Sequence, residues 1–130
     1  MRMICKWDLT GGVRSVSSPS VKQKMSGAQV VAVARLFSVL SEPSRLALVQ
    51  ALRDGPLTVS ELVEASGMKQ ANVSKHLGML YQHRLVKRQR DGVCVRYEVA
   101  DPVVFALCDL ACGKVGRDAK CAARLFNRED

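Results

Sequence analysis

The chain has 130 residues, enough for one domain with a real core and too few for two of ordinary size. Apolar residues at 48% and charged residues at 25% are ordinary for a globular protein, but 20 Lys and Arg against 12 Asp and Glu leave a net charge of +8, which points to an acidic partner. No apolar run approaches the roughly 18 residues of a membrane span, and the first residues lack the continuous hydrophobic stretch of a secretory signal, so a cytoplasmic protein without a membrane partner is expected.

In chain order, residues 1–25 have loop composition, with Gly11-Gly12 and a serine-rich run around Pro19, and read as a flexible N-terminal arm. One domain is expected over 26–125, with 126–130 as a tail. Ala28 to Leu40 reads as a helix that is apolar almost all round, which predicts burial on more than one side and hence a partner subunit. Ser41-Glu42-Pro43-Ser44 restarts the helix, since Ser can cap and Pro is tolerated in a first turn, where its missing N–H loses nothing. Leu46, Leu48, Val49 and Leu52 continue a core face until Asp54-Gly55-Pro56 stops it.

Thr58-Val59-Ser60-Glu61 has the pattern of a capping box and opens a short helix that Gly67 closes. The next helix is predicted from Gln70 to about Gln82. Val73, Leu77 and Leu80 form its apolar stripe, and Asn72, Lys75, His76 and Met79 are predicted on its outward side. Leu85 to Val99 alternates around Asp91-Gly92, a strong hairpin signal. A two-residue Asp91-Gly92 loop would pair Arg90 with Val93, Arg88 with Val95 and Lys87 with Arg96, opposing cations at a cost that a polyanion would relieve. Asp101-Pro102 begins a last helix through Leu107 and Leu110, with Gly113 and Gly116 as candidate breaks.

This order predicts a mainly α fold with a small β-hairpin, a winged helix-turn-helix of arrangement α-α-α-α-β-β-α. Between Lys69 and Arg96, seven Lys and Arg stand against Asp91 alone, a local net of +6, so most of the charge excess sits on the turn, the second helix and the wing. The second helix of such a unit enters a major groove. Gln70 and Asn72 carry amides able to pair bidentately with adenine, and Lys75 can reach a guanine or a phosphate. Lys87, Arg88, Arg90 and Arg96 are expected on the DNA backbone or in the minor groove, where they add affinity and salt dependence. A protein-contact winged helix that binds no DNA is the competing reading. An enzyme is not expected: the sequence has no CxxC, no Gly-rich phosphate loop and no plausible acid–base pair.

Leu40-Ser41-Glu42-Pro43-Ser44-Arg45-Leu46, Thr58 to Leu62, Asn72 to Leu80 followed by Leu85-Val86, and Gly92 to Tyr97 together resemble the ArsR/SmtB family of winged-helix repressors. The resemblance spans roughly Val30 to Cys112. It implies a homodimer built from the first and last helices, bound to a palindromic operator in double-stranded DNA and released by an inducer. It also implies that Gln70, Ala71, Asn72, Ser74, Lys75 and His76 read the DNA. Lys69 stands where the family usually has Ser or Thr, so it cannot cap the helix and is expected on a phosphate instead.

The inducer site is less plain. The resemblance leads to a Cys-x-Cys pair on the short helix, where this chain has Glu61-Leu62-Val63-Glu64. For a site between the last helices, Asp101 is present, but Val103 replaces a His, and Lys114 and Arg117 fall on the later ligand positions. Gln50 stands where a third type has one of two redox-sensing cysteines.

What remains of the five cysteines is the pair Cys108 and Cys112, at i, i+4 on one helical face. Two thiolates so placed can hold a thiophilic ion such as an arsenite-like species, Hg, Cd or Zn. Cys5 on the arm is the better third ligand, because Cys94 and Cys121 are out of reach. A thiol redox switch and simple packing are the alternatives for the pair. His76 and His83 are not expected to be ligands.

Overall fold

The computed structural model describes residues 23–129, with side chains through residue 124. Cys5 and residues 1–22 of the expected arm lie outside it. The elements are α1 (Gly27–Leu40), α2 (Pro43–Ala51) with a 3-10 turn at Leu52–Asp54, β1 (Leu57–Thr58), α3 (Val59–Ser66), α4 (Gln70–Gln82), β2 (Val86–Asp91), β3 (Cys94–Val99) and α5 (Val103–Glu129). From Leu36 onward they form one compact unit; the part of α1 before it is a separate unit. Among the described residues no helix is long and apolar enough to cross a membrane.

Local chemistry sets most boundaries as expected. Thr58 Oγ1 accepts from the Glu61 N–H at 3.2 Å, and the Glu61 carboxylate accepts from the Thr58 N–H at 2.9 Å, so the capping box is complete. Gly67 ends α3 in the left-handed region, φ 74°, where a side chain would be strained. At α2 the expected cap moves by one residue. Glu42, not Ser41, takes the N-cap, its carboxylate accepting from Ser44 N–H at 2.7 Å, with Pro43 next. The Ser41 hydroxyl instead donates back to the Ser38 carbonyl at 2.7 Å, finishing α1.

The core lies where the apolar stripes meet. Leu48 and Val49 of α2, Leu62 of α3 and Val73 and Leu80 of α4 are wholly excluded from solvent, and Val104 brings the start of α5 onto them. Helices α2, α3 and α4 thus support one another, and α4 is fixed by one face only.

Three details differ from expectation. The sheet has three strands in the order β1-β3-β2, because Leu57 and Thr58 pair with Tyr97 and Arg96. The hairpin loop is Gly92-Val93, and Asp91 pairs with Cys94, Arg90 with Val95, Arg88 with Tyr97 and Lys87 with Glu98. The reason is backbone sign: a loop of Asp91-Gly92 in the favoured twist needs positive φ at Asp91, whereas only Gly92 has it here (φ 67°), at the first loop position. Finally, α5 runs unbroken past Gly113 and Gly116 to Glu129, through the expected tail, since a helical Gly costs only about 1 kcal/mol against Ala.

Candidate nucleic-acid interface and thiol pair

Helix α4 presents two faces of opposite chemistry. Val73, Leu77 and Leu80 are buried, while Lys69, Gln70, Ala71, Asn72, Ser74 and Lys75 are exposed at its N-terminal half. Lys69 occupies the N-cap without a side-chain cap bond, as its ammonium requires. No carboxylate among the described residues forms an ion pair with Lys69 or Lys75.

His76 departs from the expected outward position. It is 8% exposed and faces Arg45 of α2, with Arg45 Nη1 3.4 Å from its Nδ1. Sequence spacing held the signal. At about 100° per residue, His76 lies roughly 60° from Val73 and 40° from Leu80, inside the apolar stripe rather than opposite it. There it offers little surface to a base edge.

The wing also differs from a row of unopposed cations. Lys87 Nζ lies 3.6 Å from Glu98, and Arg96 lies 3.5 Å from Asp91 and 3.8 Å from Glu61. These pairs are exposed and weak, but they remove the repulsion expected from the earlier register. Arg88 stacks over the Tyr81 ring, 4.0 Å from its centroid, so it fastens the wing to the end of α4. Arg90 remains exposed, without a carboxylate partner among the described residues.

The thiol pair sits elsewhere. An open, mainly apolar pocket of ≈ 760 Å³ lies between the last turn of α1, α2 and α5, lined by Phe37, Leu46, Gln50, Leu107, Cys108 and Cys112. Burial pushes the Cys108 thiol above its ordinary pKa, against the opposing pull of a hydrogen bond with Gln50 and of the nearby Arg53. Cys112 is exposed one turn further on, and Cys94 and Cys121 are exposed on other parts of the surface. Among the described residues no cluster brings three or more Cys, His, Asp or Glu together. The pair therefore offers two sulfur donors: too few for tetrahedral zinc, and suited to a thiophile of low coordination number.

The family model for bacterial regulatory proteins of the arsR family matches residues 42–88, from the α2 cap to the first wing strand. A protein of Streptomyces lividans described as a probable mercury resistance operon repressor is 38% identical over 101 residues, covering 74% of this chain and 81% of that one. The chain belongs to the ArsR/SmtB family.

Members are DNA-binding transcriptional regulators, a class without enzymatic chemistry, and this ArsR-family chain is a DNA-binding regulator of the same kind. Its fold is shared with the AntR antimony-specific transcriptional repressor, at TM-score 0.67 and 32% identity, covering 80% of this chain and 96% of that structure. It is shared also with the homodimeric winged helix-turn-helix DNA-binding domain of a Mycobacterium bovis protein, at TM-score 0.60 and 27% identity, covering 69% and 92%.

Proposed function

We propose that this chain is a cytoplasmic, homodimeric repressor that reads its operator with Gln70, Ala71, Asn72, Ser74 and Lys75, and is released when Cys108 and Cys112 take up a thiophilic ligand. The observation that carries the reading is the division of α4 into a buried apolar stripe and an exposed polar N-terminal half with an unopposed Lys75. Such a helix has no use for its outward amides within its own fold, and its dimensions suit a major groove. Lys69 and Arg90 are placed on phosphates, with Lys87 and Arg96 as weaker contributors, because each must exchange a carboxylate for a phosphate.

A homodimer is supported by apolar residues that the single chain leaves in water. Val30 and Val31 are about half exposed on α1, as are Phe37 and Leu110 in the compact unit, and Val115 is 65% exposed. The S. lividans relative is named as a probable repressor of a mercury resistance operon and AntR as antimony-specific, and both elements are soft, which supports a thiophile for the two-sulfur site. When bound there, such an ion would draw two turns of α5 together, beside Gln50 of α2. Its effect on DNA would be a preference between two dimer geometries and would run in both directions.

One titration tests these roles. Fluorescence anisotropy of a palindromic upstream fragment should give an affinity that Asn72→Ala lowers by about 1–3 kcal/mol for the operator while leaving binding to unrelated duplex nearly unchanged. Arsenite, Hg²⁺ or Cd²⁺ should then release the wild type and spare Cys108→Ser/Cys112→Ser. Equal loss on all sequences would remove Asn72 from base reading, and equal release of both proteins would remove the thiols from sensing.

A further inference from the structure

A bare thiophilic ion on Cys108 and Cys112 uses two sulfurs and leaves the pocket beside them empty. That pocket has ≈ 760 Å³. Ligand pockets commonly run to about 300–1,000 Å³, and a cavity of only about 150 Å³ lined by Leu, Ile and Phe takes up benzene. On α5, Cys108, Cys112 and Val115 follow at i, i+4 and i+7, so the sulfurs share the face that lines the pocket. Phe37, Leu46 and Leu107 supply apolar wall around them.

The polar groups of the lining offer an ion little. Asp109 is its charged residue, and both carboxylate oxygens are taken by Arg53, at 2.8 and 3.2 Å. The Ser41 hydroxyl donates to the Ser38 carbonyl, and Gln50 is neutral. Among the described residues no third Cys, His, Asp or Glu joins the two sulfurs.

Valence then separates the thiophiles. Arsenic(III) makes three bonds. Arsenite on two sulfurs keeps one hydroxyl, a polar group set beside an apolar wall. An arsenical with one organic group, R–As(OH)₂, has two hydroxyls to exchange, one for each sulfur, and its third bond holds carbon. Side chains four apart on a helix have Cβ atoms about 5–6 Å apart, close enough for one atom to bridge their sulfurs.

We propose that the Cys108–Cys112 site takes a trivalent arsenical bearing one organic group, with arsenic bridging the sulfurs and the group seated among Phe37, Leu46 and Leu107. The inference rests on the pair being the inducer site and narrows the class of inducer. Two As–S bonds form and two As–O bonds break, and each hydroxyl leaves as water with a thiol proton. Arsenic stays trivalent, so neither oxidant nor reductant is needed. The adduct is uncharged and enters the apolar wall without burying an ion. Phe37 and Val115 are also among the exposed apolar residues that a second copy would cover, so the seated group acts on the dimer seam itself.

The test uses the full chain, with binding of phenylarsine oxide, methylarsonous acid, arsenite and Hg²⁺ followed by titration and by intact mass, and operator release followed by anisotropy. Free dithiothreitol supplies the intrinsic preference of a dithiol for each arsenical. After that correction the phenyl compound binds about tenfold or more tighter than the methyl one, because only the pocket rewards the larger apolar group. Methyl in turn binds tighter than arsenite. Ala47→Phe and Ala111→Phe each fill the pocket from an exposed wall position. Either brings phenyl to within about threefold of methyl, while Hg²⁺, which two sulfurs satisfy without a pocket, binds as before and shows the variant intact. Cys5→Ser leaves both organic arsenicals unaffected.

A corrected phenyl affinity no better than methyl overturns the proposal, and so does a phenyl preference that survives both pocket-filling variants. Arsenite binding tighter than methyl, with the advantage lost in Cys5→Ser, overturns it in favour of a three-sulfur site. Release by Hg²⁺ or arsenite without a phenyl preference sinks this inference and leaves thiol sensing standing. A phenyl preference in binding without operator release does the reverse.

Discussion

Asp109 is the residue that ties the last helix to the end of α2. Arg53 forks onto its carboxylate at 2.8 and 3.2 Å and lies 5.0 Å from the Phe105 ring centroid, so one guanidinium meets two turns of α5. The hydrogen bonds from Arg53 lower the Asp109 pKa. A lowered folded value means that the stabilisation is present above the unfolded carboxylate range and is lost as pH falls through the folded value. Urea unfolding of the wild type and Asp109→Asn should therefore differ near neutrality and converge in acid. The pair is exposed, so the gap is small at its widest, and a gap that widens in acid contradicts the assignment. No pattern in the sequence joins positions 53 and 109, because contacts between distant elements leave no period to read. His76 is legible in principle, since its offset from Val73 and Leu80 puts it in the buried stripe, although a polar side chain on a helix more often faces outward.

At the scale of elements, chemistry that acts over three or four residues was readable, and chemistry that acts across the sheet was not. Thr58 with Glu61, and Gly67 after Ser66, state where α3 begins and ends, and the structure agrees. The wing register depended on whether Asp91 or Gly92 opens the loop, a difference of one backbone angle. A strand as short as Leu57–Thr58 has no alternation to detect. The end of α4 carries a feature that the sequence conceals. Arg84 has φ 63° in the position where glycine usually ends a helix, and Leu85 N–H returns to the Leu80 carbonyl at 2.9 Å to close the motif. A side chain there costs about 1 kcal/mol or more, partly offset by the greater unfolded freedom of Gly. Arg84→Gly should accordingly raise stability by about 0.5–1 kcal/mol, seen as a higher urea midpoint at unchanged slope. A lower midpoint would show that Arg84 makes a compensating contact.

For the whole molecule, the net charge of +8 says that DNA is attractive at long range, but not which cations touch it. The structure divides them. Lys87 and Arg96 have carboxylates beside them and Arg88 is stacked on Tyr81, whereas Arg90 on the wing and Lys69 and Lys75 on the turn and helix carry no such partner among the described residues. Each phosphate that a free cation neutralises releases counterions and contributes about 0.9 to the slope of log affinity against log salt. Arg90→Ala should then flatten that slope by about 0.9 per protomer, or about 2 for a dimer on its operator, and weaken all duplexes alike. Lys87→Ala should change it less, because its charge is already shared with Glu98. Asn72→Ala should leave the slope untouched while erasing preference, since a neutral amide displaces no counterion. If Arg90→Ala alters sequence choice but not the salt slope, the wing reads bases, and the division of labour between helix and wing drawn from these pairings is reversed.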